Sequence, residues 1–214
     1  MKTTPAVLLL ACILGGCTAA PKPTSAPAPT SNPTPAATND RAARAESCRK
    51  LRLGYARSAE YDPYNTKVRE IRTRSVELLD KDDFKEAIAE TARGLAIDKY
   101  NIDLLMTRAA AFRASGDIKN ADDTRQRWMS LMDSIVTSGD GRSFKMAFQV
   151  ISVDEEYALL AVMGLRMENQ MLVENDGSEF DVLSVKAENS DQVFDLYFNV
   201  DIPLKWLNKH LSGG

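Results

Sequence analysis

The sequence predicts an α+β fold, in which N-terminal helix hairpins pack with a small C-terminal antiparallel β-sheet carrying one or two helices. Three observations predict it. From about Arg41 to Ser134 apolar residues recur at helical spacing; Thr137-Ser138-Gly139-Asp140-Gly141 then interrupts the pattern; the remainder alternates in short runs separated by tight-turn signals. The foldable stretch, roughly 170 residues, suffices for one domain or for two small ones that share an interface.

The first element expected is a short amphipathic helix over Ser47–Ala59, carrying Cys48, Leu51, Leu53 and Tyr55 and leading into Tyr61-Asp62-Pro63-Tyr64-Asn65. Four longer helices follow. Thr66–Asp80 turns Val68, Ile71, Ser75, Leu78 and Leu79 to one face, and Phe84–Ile97 turns in Phe84, Ala87, Ile88, Ala92 and Leu95. Ile102–Ala114 offers Ile102, Leu105, Ala109 and Phe112, and Ile118–Ile135 offers Ile118, Ala121, Trp128, Leu131, Met132 and Ile135. Two phrases repeat along this region. Asp83-Phe84-Lys85-Glu86-Ala87 returns as Asp117-Ile118-Lys119-Asn120-Ala121 after 34 residues, and Asp98-Lys99-Tyr100-Asn101 echoes the Asp62 turn. An Asp ahead of an apolar residue caps the second helix of each pair, and a small residue in the first (Ser75, Ala109) lets the two approach. This pattern resembles the tetratricopeptide repeat, with Gly94, Lys99 and Arg125 departing from it. Two repeats are fewer than a free-standing array needs, so their ends require cover.

The second half is expected to begin with a strand within Lys145–Val153 and a helix over Glu155–Gly164. Strands at Arg166–Val173, Glu179–Lys186 and Gln192–Val200 follow. Asn175-Asp176-Gly177 is a strong hairpin signal, because its residues tolerate the positive φ of a two-residue turn; Asn189-Ser190-Asp191 is a second turn. Asp201-Ile202-Pro203 opens a last helix with Leu204, Leu207 and Leu211 as its apolar stripe, Asp201 as its cap and Pro203 in its first turn.

Ahead of all this the chain starts with Lys2 and the apolar run Ala6–Leu14, too short for a bilayer span of about 20 residues, followed by Leu14-Gly15-Gly16-Cys17. The motif resembles the lipobox of bacterial lipoproteins. That resemblance implies a signal peptide over residues 1–16, recognised through Leu14, Gly15 and Gly16, and a diacylglycerol on the Cys17 thiol. An ordinary signal peptide cut near Ala19 or Ala20 is the alternative. The expected partner of the mature N-terminus is therefore a membrane, and Thr18 rather than Asp after the cysteine leans the anchor toward the outer membrane, by resemblance to enterobacterial lipoproteins. Residues 17–40 hold six prolines and little charge, a composition expected to stay extended over a contour on the order of 70 Å.

Charge and chemistry exclude several functions. The chain carries a formal net charge of −3, with no basic cluster, so no nucleic-acid partner is expected. Of three cysteines, Cys12 leaves with the signal and Cys17 takes lipid; Cys48 remains, as a buried thiol or an intermolecular disulfide. His210 stands alone, too little for a zinc site or a Cys–His dyad, and no metal or cofactor is expected. Glu174–Glu179 lacks the spacing of a calcium loop, Gly139-Asp140-Gly141-Arg142-Ser143 lacks the end of a P-loop and suits an interdomain linker, and no Gly-x-Ser-x-Gly elbow occurs. Glu155-Glu156 and Asp80-Lys81-Asp82-Asp83 stand at expected helix starts, where acids favour the dipole, although paired carboxylates for acid–base work remain open.

One surface is a candidate partner groove. In paired helices of this kind the first helices line a concave face, here Arg69, Arg72, Val76, Asp103, Met106, Ala110 and Arg113, where arginines would hold a peptide carboxylate. A solvated face, or contact with the protein's own β part, is the alternative. Beyond these elements, the phrases Tyr61–Asn65, Gly139-Asp140-Gly141, Ile151–Tyr157, Asp181-Val182-Leu183, Leu196–Pro203 and Trp206-Leu207 resemble a secreted or lipid-anchored bacterial family known only as a domain of unknown function (DUF4919-like). The resemblance implies that residues 41–136 and 137–214 travel as one unit and implies no activity. The expected function is a membrane-anchored envelope lipoprotein binding a protein or peptide partner, not an enzyme. A cell-envelope hydrolase with a carboxylate-based site and an inhibitor or immunity-type lipoprotein are the alternatives.

Overall fold

Helix α1 (Pro35–Tyr55) opens the computed structural model, which describes residues 35–211 other than 188. The expected signal peptide, its recognition residues Leu14, Gly15 and Gly16, and Cys17 lie outside the described residues. α1 begins well before Ser47 and takes in the last residues of the Pro-rich stretch. Pro35 suits a first helical position, where no N–H is needed, and the alanines after it are strong helix formers.

Four helices follow, α2 (Thr66–Asp80), α3 (Phe84–Ile97), α4 (Ile102–Ala114) and α5 (Ile118–Val136), each packed on the next. The repeated phrases build repeated caps. Asp62 accepts from the Tyr64 N–H and the Asn65 side chain, and Asn65 accepts from the Val68 N–H at 3.1 Å; Asp98, Asn101 and Leu104 reproduce that set 36 residues later, again ending in a 3.1 Å bond. Asp83 caps α3 through Glu86 N–H and Asp117 caps α5 through Asn120 N–H, each after a residue of positive φ, Asp82 and Gly116. The face of α3 differs from expectation: Glu90, Thr91 and Gly94 are buried while Ala92 is exposed. Gly94 is the contact point, since a Cβ there would sit 2.5 Å from Leu104 and 2.9 Å from Ile71. α1 covers α5, not α2, so the helix first in sequence closes the last of the array. Ile118, expected inside, is half exposed.

The sheet is mixed, in the order β1-β4-β3-β2. β2 (Leu165–Asn175) and β3 (Ser178–Ala187) form a hairpin whose central residues, Asp176 and Gly177, have φ of 51° and 78°, the signs a type I′ turn demands. β4 (Phe194–Asn199) lies antiparallel to β3, and β1 (Phe148–Gln149) pairs with β4 in parallel, the one departure from the expected antiparallel sheet. The long strand expected over Lys145–Val153 shrinks to these two residues. Gly139-Asp140-Gly141 is not a linker between domains: Gly141 accepts from the Tyr197 N–H at 2.9 Å and donates to Met146 at 2.8 Å, folding the segment back over the sheet. A Cβ on Gly141 would lie 2.3 Å from the Phe148 ring.

Helices α6 (Val153–Met163) and α7 (Asp201–Leu211) complete the chain. One core cluster joins the layers, with Leu105, Leu131 and Ile135 from the array, Leu159 from α6, and Leu183, Val185, Leu196 and Phe198 from the sheet. The described residues cluster as one unit. Among the described residues no helix is long and apolar enough to cross a membrane.

Candidate functional site between the first and last helices

The site is positioned by a buried arginine. On α1, Cys48, Arg52 and Tyr55 share the inward stripe, and Arg52 is only 1% exposed. Its guanidinium forks onto Glu155 of α6, with Nε donating at 2.8 Å and Nη2 at 2.6 Å, while Nη1 donates to Ser134 of α5 at 2.8 Å and Nη2 also to the Gln149 carbonyl. Glu155 further accepts from the Ile151 N–H at 2.9 Å. A buried ion pair tolerates its desolvation only when its remaining polar atoms are satisfied, and here four elements supply the partners. Beside it Tyr61 donates to the Ile151 carbonyl and meets Tyr55 edge to face, with Tyr100 adjoining. Burial pushes the Tyr61 and Tyr55 hydroxyls well above the ordinary tyrosine range, so both remain protonated donors.

Held in this way, the end of α1 and the whole of α7 stand apart and enclose an open cleft of about 810 Å³. Leu53, Ala56, Ile202 and Trp206 make an apolar floor. Arg57 stands on one wall and Lys205, Lys209 and His210 on the other, with Asp62 the acid among the lining residues. Lys205 reaches Asp201 at 3.3 Å; Arg57 and Lys209 have no ion-pair partner among the described residues. His210 stacks on Trp206 at 3.8 Å between ring centres, its Nδ1–H donating to the Trp206 carbonyl, and Tyr64 tilts against the indole at 5.8 Å. The volume lies within the roughly 300–1,000 Å³ of ligand pockets, and a few charged groups around an apolar floor are their usual chemistry.

A second cluster lies inside. Glu156, next to Glu155, is fully buried, and neither carboxyl oxygen has a donor partner among the described residues. Burial first, then Asp181 and Glu155, push its carboxyl up to about 9. Burial also raises Asp181, against a 2.8 Å bond from Gln170 Nε2 that favours its charged form. Glu156 thus keeps its proton in the fold, beside an Asp181 carboxyl that burial also raises. Neither acid at the start of α6 works as a solvated cap, contrary to expectation; the helix start turns both inward.

The expected groove residues do not gather into one open surface. Arg72 bridges Asp103 at 3.0 Å and Asp154 of α6, so the protein's own α6 fills the position of a partner carboxylate. Arg113 pairs with Asp122 at 2.6 Å, Met106 packs on the main core, and Arg69 stays exposed. Cys48 is half-buried and free, its thiol raised by burial. Among the described residues no His, Cys, Asp or Glu group is arranged to hold a metal. Sequence reasoning missed Arg52, Arg57, Lys209 and the Glu156–Asp181 pair. The one available signal was Arg52, a charge on an otherwise apolar stripe.

Tyr61, Glu155, Glu156, Asp181 and Trp206, which build the network and the cleft, all fall in the phrases that carried the family resemblance. No curated protein and no solved structure matches the chain. Residues 36–209, from the first turn of α1 to Lys209 on the cleft wall, match the family described as a domain of unknown function, and the chain belongs to that DUF4919 family.

Proposed function

We infer that this chain is a lipid-anchored envelope lipoprotein whose folded part binds a protein or peptide partner. The carrying observation is the open α1–α7 cleft, with its apolar floor and the exposed Arg57 and Lys209. Leu14-Gly15-Gly16-Cys17 supports the anchor and Thr18 supports the outer membrane. A photocrosslinking residue at Ser58, beside the cleft, should capture a partner in intact cells where one at exposed Arg125 does not; equal capture, or none, removes the reading. Mass spectrometry of the mature N-terminus tests the anchor: a diacylated Cys17 is expected, and an unmodified start near Ala20 refutes it.

A second reading, an envelope hydrolase with a carboxylate-based site, draws on the buried acids Glu156 and Asp181, both raised by burial. It requires that hydrolysis of an envelope polymer by the purified chain be lost in Glu156→Gln; product formation equal in both, or absent from both, removes it.

A further inference from the structure

The α1–α7 cleft also constrains what it takes. Arg57, Lys205 and Lys209 line it against a single acid, Asp62, in a chain whose overall charge is −3, so positive charge is concentrated here against the trend of the molecule. Arg57 and Lys209 are exposed and have no ion-pair partner among the described residues, which leaves both charged heads open to a ligand. They come from separate segments, one from the turn after α1 and one from α7, suited to two separate anionic groups more than to one. The floor of Leu53, Ala56 and Ile202 between them asks for an apolar group.

Trp206 narrows the class further. His210 already stacks on its ring at 3.8 Å, and Tyr64 adjoins the indole at 5.8 Å. Sugar rings and nucleobases stack upon open aromatic faces, and one face of this indole is already taken by His210. A dense polyanion would meet Asp62 within the cleft and Asp201 beside Lys205. A concave site is also poorly shaped for a flat bilayer surface.

Resting on the binding-module reading, we propose that the cleft receives an acidic peptide segment of a partner protein, with two carboxylates paired to Arg57 and Lys209 and an apolar side chain between them on the Leu53–Ile202 floor. The guanidinium of Arg57 presents two parallel N–H groups to one carboxylate, and Lys209 supplies a point charge to the other.

The test uses the full chain in detergent and a fluorescein-labelled peptide of alternating Glu and Leu, with its Lys–Leu counterpart and phosphatidylglycerol vesicles as comparison probes. Binding of the Glu–Leu peptide is expected, weakened about tenfold or more in Arg57→Glu/Lys209→Glu and weakened by added salt. The double variant should instead gain binding of the Lys–Leu peptide, a gain that simple damage to the cleft would not produce. Unchanged circular dichroism and thermal midpoint keep the comparison valid. Absence of Glu–Leu binding, equal binding by the double variant, or preference for the vesicles overturns the proposal. If Ser58 crosslinks a partner through a basic or uncharged segment, the ligand class fails and the binding-module reading stands. If Ser58 captures nothing and no peptide binds, both fail.

Discussion

Replacing Glu156 by Gln should stabilise the protein at neutral pH and remove part of its pH dependence. Glu156 keeps its proton to about pH 9 in the folded chain, whereas an unfolded glutamate releases it near 4.5. Between those values the native state binds one proton more than the unfolded state, so stability falls as pH rises, by about 1.4 kcal/mol per pH unit. At pH 7 the deficit from this group is on the order of 3 kcal/mol, and it is absent below about pH 4.5, where both states are protonated. A glutamine of nearly equal shape never ionises. Urea unfolding of both proteins at pH 5, 6, 7 and 8 reads the effect. The variant's advantage should grow from under about 1 kcal/mol at pH 5 to on the order of 5 kcal/mol at pH 8. Parallel stability curves would show that Glu156 is charged in the fold and would refute the retained proton.

Three further outcomes are expected. Arg52→Ala strands Glu155 in the core and should cost about 3–5 kcal/mol in denaturant unfolding, while the double replacement Arg52→Met/Glu155→Leu should cost much less; equal losses would count against the ion pair as the cause. Gly94→Ala drives a methyl into Leu104 and Ile71 and should lower stability by about 1–3 kcal/mol, read as a fall in the thermal midpoint. Cys48, raised by burial, should react with iodoacetamide at pH 8 more slowly than an unfolded thiol and match it in denaturant; equal rates would contradict its environment.

Local chemistry was legible in the sequence wherever a residue acts on its own neighbours. Asn65, Asn101, Asp83 and Asp117 cap helices because an oxygen three residues upstream of an N–H can do little else there, and Asp176-Gly177 closes its hairpin because both residues accept positive φ. Misreadings arose where one local pattern serves two ends. Glu155 and Glu156 satisfy every rule for dipole-favouring acids in a first helical turn, yet their partners, Arg52 and Asp181, come from distant segments that no local rule can name. Gly139-Asp140-Gly141 reads as a linker by composition, and only the closeness of Met146 and Phe148 shows it to be a folded-back turn. The cleft was the least legible part: Arg57 and Lys209 look like solvated charges until the fold sets them on facing walls. The α3 face turned because Gly94 lets Leu104 and Ile71 approach the backbone, a packing advantage that a hydrophobicity pattern scores as nothing.

The length of α1 has a mechanical consequence. Its 21 residues span about 31 Å at 1.5 Å per residue, and whatever precedes Pro35 joins the fold at one end of that rod. A pull applied there runs along the helix axis and reaches the Arg41–Asp133 contact first and the Arg52–Glu155 fork later. The same rod ends at Tyr55, with Leu53 on its last turn and Ala56 and Arg57 just past it lining the cleft. The entry of the preceding chain and the occupancy of that cleft would therefore bear on opposite ends of a single element.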